Sequence, residues 1–138
     1  ETSRSLTALG IDYGASHTEF LISGDQVYVT EVGARMGGDF IGSDLVKLST
    51  DYDFLSGVIS IALGNFQKPV INEKLSSGVL YYSSETPSVL ELIKNFKSNA
   101  DVVRAAHTGT TNAELRSSAD RNGYAIYQSD RRLQLKKK

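Results

Sequence analysis

The sequence predicts an α+β fold, with an antiparallel sheet and flanking helices followed by a small β-rich lobe. Three observations predict it. Two β-rich runs, residues 16–23 and 26–33, are separated by Gly24-Asp25, the signature of a hairpin. Segments with helical spacing follow the runs, and beyond a polar connection the pattern returns to short strands.

The elements follow in order. Residues 1–9 read as the tail of a helix whose earlier turns are absent, which suggests a fragment. After the hairpin comes a glycine-dense loop over residues 33–42, and Ser43-Asp44 is expected to cap a helix through Leu45, Val46 and Leu48. A second helix is expected over residues 53–63, where Phe54, Val58, Ile61 and Ala62 recur at helical spacing and Gly64 supplies the stop. The polar stretch 65–76, with Pro69, sets the expected boundary between residues 1–64 and a lobe of residues 65–138. In that lobe residues 79–82 read as a strand, 87–96 as a helix with Pro87 in its first turn, and 101–106 as a strand. Residues 113–117 and 123–128 read as strands flanking a turn at 120–122. Tyr81, Tyr82, Tyr124 and Tyr127 read as sheet residues rather than a stacking platform.

Composition narrows the function classes. A hydrophobic content of 40% in 138 residues allows one modest core or two small lobes. Fifteen Lys plus Arg against sixteen Asp plus Glu leave no global charge to draw nucleic acid or a membrane surface, so any anion site must be local. The absence of cysteine excludes a disulfide framework, a thiolate nucleophile and cysteine-ligated metal in this chain. No apolar run reaches the roughly 18 residues that span a bilayer. The cytosol is the default address. Lys136, Lys137 and Lys138 read as a solvated end.

Glu19 and Glu31 lie one on each arm of the hairpin. With a loop of three or five residues, opposite positions sum to 50 and the two glutamates face each other; a two-residue turn gives 49 and opposite faces. Opposed like charges destabilise a sheet by up to about 1 kcal/mol, so the pair calls for a compensating cation or a raised pKa, unless one or both glutamates simply face water. Mg2+ suits it, because this ion commonly takes one or two carboxylates and completes its shell with phosphate oxygens. Arg35, four positions after Glu31, adds a two-pronged anion ligand, and Gly37 and Gly38 add backbone amides without side chains. Together these suit phosphoryl transfer, although the glycines alone equally suit a chain reversal. His17 shares the Glu19 face under strand alternation, as a site residue or a sheet residue. His107 is assigned no role.

The segments Ala8-Leu9-Gly10, GASHTEF at residues 14–20 and VTEVGARMGGD at residues 29–39 resemble the metal-binding core of ATP-grasp enzymes. The resemblance is closest to carboxylate-amine ligases whose motif reads Glu-x-x-x-Arg-x-Gly-Gly, such as amino-acid ligases and the large chain of carbamoyl-phosphate synthase. It implies that Glu19 and Glu31 hold Mg2+ with the ATP phosphates and that Arg35 stabilises the phosphoryl group or an acyl phosphate. It also implies small carboxylate and amine substrates, and an upstream ATP-grasp half of the same polypeptide without which this chain is inactive. Gly33 departs from the commoner pattern, which has an asparagine there as a further metal ligand. The competing expectation is a non-catalytic binding or regulatory module that keeps the fold; a third is a β-rich interaction domain.

Overall fold

In a computed structural model, which describes residues 1–73, 75–109 and 114–135, the chain mixes helices with antiparallel strands as an α+β protein. It divides into two compact units, one of Glu1–Asp44 with Asp53–Val70 and one of Leu45–Tyr52 with Ile71–Lys138.

The first unit contains helix α1 (Thr2–Ala8), the hairpin strands β1 (His17–Ser23) and β2 (Gln26–Gly33), and helix α3 (Phe54–Ala62). Helix α3 starts where Asp53 accepts a hydrogen bond from the Ser56 N–H at 3.0 Å. It stops at Gly64, whose φ of +77° an L side chain would resist. Tyr13 ties the loop between α1 and β1 to this helix, its hydroxyl donating to the Ile61 carbonyl at 2.7 Å. Among the described residues, the buried hydrophobic side chains all lie outside this unit. Leu21 and Ile22 are 60% and 71% exposed, and Phe20, Val27, Tyr28 and Val29 are exposed beside them. A two-stranded ribbon with apolar residues open on both faces has little burial of its own to hold it.

The second unit contains helix α2 (Val46–Thr50), helix α4 (Val89–Lys94) and a three-stranded sheet in the order β3 (Ser76–Tyr82), β5 (Gly123–Ser129), β4 (Val102–His107). The central strand β5 is the most buried because it is paired on both edges. On one face Tyr82, Val89, Ile93, Val102 and Ala125 form the core, with α4 packed against it. On the other face Ile126 is fully buried. There Ser77 donates to the Leu45 carbonyl at 2.8 Å and Gln128 to the Leu48 carbonyl, which brings the α2 segment over the sheet. Gly78 lies opposite Tyr127, and a Cβ added to it would come within 2.6 Å of the ring, so the glycine makes room for the tyrosine. All four tyrosines predicted for the sheet are in β3 and β5. Arg121 stacks over Tyr81 at 4.0 Å and Arg104 over Tyr124 at 5.8 Å.

Three local expectations are corrected. The segment after the glycine turn becomes helical at Ile41, as a π-helical turn over Ile41–Leu45, so Ser43 and Asp44 lie inside it and do not cap it; Ser43 donates to Asp44 at 2.6 Å instead. The helix expected over 87–96 is shorter, Val89–Lys94, and continues as a 3-10 turn over Phe96–Ser98. The strand expected over 113–117 does not form at Glu114, Arg116 or Ser117, where Asp120 accepts from the Arg116 and Ser117 N–H groups and fixes a capped 3-10 turn. Ala113 and the three terminal lysines lie outside the described residues. No helix among the described residues is long and apolar enough to cross a membrane.

Candidate active site on the hairpin

The turn has two residues. Ser23 pairs with Gln26, and Gly24 alone takes a positive φ, +57°, the pattern of a hairpin turn with glycine in its first position. That corrects the expected three- or five-residue loop, and from Ser23 to Phe20 the strands keep the two-residue register. A bulge then intervenes. Phe20 pairs with Val29, Glu19 pairs with Glu31, and Thr30 has no opposite residue. The extra residue moves the register by one, so the two glutamates are Cα partners on one face despite the short turn. His17 opposite Gly33 continues the same face.

Arg35 leans back over this face. Its Nη2 donates to Glu31 Oε1 at 3.3 Å and its Nη1 to the Met36 carbonyl at 2.9 Å. Its side chain passes over Gly33, where a Cβ would meet Arg35 Cγ at 3.4 Å and Nε at 3.6 Å, ordinary contact distances. The position without the asparagine of the commoner pattern is thus the one the arginine crosses. Arg35 and Glu31 are 59% and 54% exposed, and such an open pair contributes at most about 1 kcal/mol, so it orients the guanidinium more than it stabilises the fold.

His17 places Nε2 3.3 Å from Glu19 Oε1. Its other nitrogen faces Gly37, where an added Cβ would lie 2.9 Å from Nδ1 and 3.2 Å from Ile41. Gly37 is therefore packed on, while Gly38 has open space beside it. Asp39 and Phe40 follow with φ of +50° and +66°, a left-handed pair that is unfavourable for residues with a Cβ by roughly 1 kcal/mol or more each.

The structure thus brings Glu19, Glu31, Arg35, His17 and Gly37 together around one end of the hairpin. The contact between His17 and Gly37 was not foreseen; only the spacing of His17 from Glu19 hinted at it. His107 lies elsewhere, its ring 5.4 Å from that of Tyr82. Among the described residues no group of three or more His, Cys, Asp or Glu side chains converges to hold a metal. Two opposed carboxylates fit Mg2+ nonetheless, because this ion draws several ligands from phosphates and water. A cavity of about 640 Å³ beside α1 and one of about 380 Å³ along β3 are lined by none of Glu19, Glu31 or Arg35.

The α+β fold that carries this hairpin is similar to parts of solved ATP-grasp carboxylate-amine ligases, the group that the sequence resembles. The chain is similar in structure to an L-amino acid ligase from Bacillus licheniformis, with a TM-score of 0.73 and 25% identity over 95% of this chain and 34% of that one. It is also similar to a phosphoribosylglycinamide synthetase from Anaerococcus prevotii, with a TM-score of 0.61 and 18% identity over 95% of this chain and 35% of that one, a likeness of fold alone. The chain spans about a third of the length of these two proteins. No protein-family model matches the chain, and no curated protein matches it by sequence.

Proposed function

We propose that this chain is the C-terminal part of an ATP-dependent carboxylate-amine ligase, supplying the Mg2+-binding glutamates and the arginine for acyl-phosphate formation. The observation that supports it most is the pairing of Glu19 with Glu31 beside the Arg35 guanidinium. Residues 1–64 are then the end of the ATP-grasp domain and residues 65–138 a small C-terminal lobe. Mg2+, when bound, neutralises phosphate charge. Glu19 and Glu31 hold it from one face of the hairpin. Arg35 uses two of its five N–H donors on Glu31 and Met36, which leaves others for an anion. A planar guanidinium set beside a transferring phosphoryl group stabilises the charge spread over its oxygens. The Gly38 amide, with no side chain beside it, adds a further donor.

The exposed apolar residues of the hairpin fit a partner surface supplied by an upstream ATP-grasp half of the same polypeptide. ATP and small acid and amine substrates would meet there, in a cytosolic enzyme. The test is ADP release by the intact ligase, assayed with each acid and amine in turn. ADP formation that requires Mg2+ and both substrates supports the reading. ATP-independent behaviour with every pair would leave the non-catalytic binding module as the better account.

A further inference from the structure

We propose, building on the metal reading of Glu19 and Glu31, that His17 is a positioning residue that locks the Glu19 carboxylate to the glycine turn. Three distances carry this. Nε2 of His17 is 3.3 Å from Glu19 Oε1. The opposite side of the ring is so close to Gly37 that a Cβ there would sit 2.9 Å from Nδ1. Gly37 is itself backed by Ile41, 3.2 Å from the same added Cβ.

The ring therefore spans two chain segments. An ionised carboxylate can only accept, so the hydrogen bond is one that Nε2 donates, while Nδ1 is the side of the ring set against the Gly37 backbone. The ring is the most enclosed of the site's side chains: His17 is 21% exposed, whereas Glu19 is 56% exposed. A half-exposed glutamate has several rotamers open to it, and a hydrogen bond from a seated ring selects one of them. Carboxylates that bind metal are commonly held by such outer hydrogen bonds, whose loss costs roughly 10–100-fold in metal affinity. Gly37 has a second role here, since it supplies the space the ring occupies.

The test reads metal binding in the chain without turnover. The chain contains two histidines, His17 and His107, so the paramagnetic broadening of their ring signals by Mn2+ compares the site with an internal control. Selective broadening of His17, reduced by Glu19→Gln, is expected. His17→Phe keeps a ring over Gly37 but loses the donor. Followed through the Glu31 amide, it should raise the half-saturating Mn2+ concentration roughly 10–100-fold, with partial recovery in His17→Gln, which retains an N–H donor. Gly37→Ala should shift it in the same direction. In the intact ligase His17→Phe should raise the Mg2+ concentration needed for half-maximal rate more than it lowers kcat.

Metal binding in His17→Phe within about twofold of the parent, with Glu19→Gln still defective, would overturn the role of His17 and leave the metal reading standing. Broadening of neither ring, or of both alike, would overturn it as well. Selective Mn2+ binding in a protein without ligase activity would support the positioning role and refute the proposed function.

Discussion

Glu19 and Glu31 are Cα partners only because Thr30 is the extra residue of a bulge in β2. Without the bulge the two-residue turn would set Glu19 opposite Thr30 and send the glutamates to opposite faces. The bulge thus decides whether the carboxylates can share a cation. It predicts a cross-strand Hα–Hα contact between Thr18 and Val32, the non-hydrogen-bonded pair next to the bulge, read by nuclear Overhauser effects. A Thr18 contact to Glu31 in its place would contradict this register.

The turn itself should be sensitive to a Cβ. Gly24 holds φ +57°, so Gly24→Ala is expected to destabilise the hairpin by about 1 kcal/mol. Protection of the β1 and β2 amides against hydrogen exchange would report it, while β3 to β5 amides stay unchanged.

The hairpin was legible in the sequence and its register was not. Gly24-Asp25 marked the turn, but nothing in Val29, Thr30 and Glu31 announces a bulge, because β-rich runs tolerate an extra residue without a compositional sign. The expectation of facing glutamates held although its premise, a longer loop, did not. Asp53 and Gly64 were readable as helix limits since each acts locally, Asp53 through its carboxylate on the Ser56 N–H and Gly64 through its positive φ. Ser43-Asp44 misled because the chain reverses earlier, through Asp39 and Phe40 in the left-handed region, which their side chains do not favour. The seat of His17 on Gly37 depends on two segments 20 positions apart, which no local pattern encodes.

Ile126 tests the sheet. It is fully buried in the central strand, so Ile126→Ala should destabilise the second unit by roughly 2–5 kcal/mol in denaturant unfolding. A loss well below that range would mean that α2 does not cover this face.

Thr18 is predicted to go the other way. Its hydroxyl is buried with no hydrogen-bond partner, so Thr18→Val, of similar shape, should be neutral or stabilising by up to about 1 kcal/mol. A clear loss in thermal stability would show that the hydroxyl is satisfied.

Acid should loosen the turn at Asp120. Hydrogen bonds from the Arg116 backbone N–H, then from the Ser117 N–H and hydroxyl, hold its carboxyl below the ordinary 3.8. With the folded value depressed, the stabilisation is present in full above 3.8 and is lost as pH falls through the folded value. The Arg116 and Ser117 amide shifts should therefore titrate with a midpoint below 3.8. Movement centred above 3.8 would contradict the assignment.

The most direct test of the central claim compares Glu31→Gln with Arg35→Lys across a Mg2+ titration of the intact ligase. Glu31→Gln removes the charge that holds the ion, so its steep loss of activity should be partly recovered at high Mg2+. Arg35→Lys keeps charge but loses the planar fork, so kcat should fall about 100-fold or more, and added Mg2+ should not restore it. Near-full kcat in Arg35→Lys, with ATP-dependent ligation intact, would reduce Arg35 to a structural neighbour of the glycine turn and contradict the account.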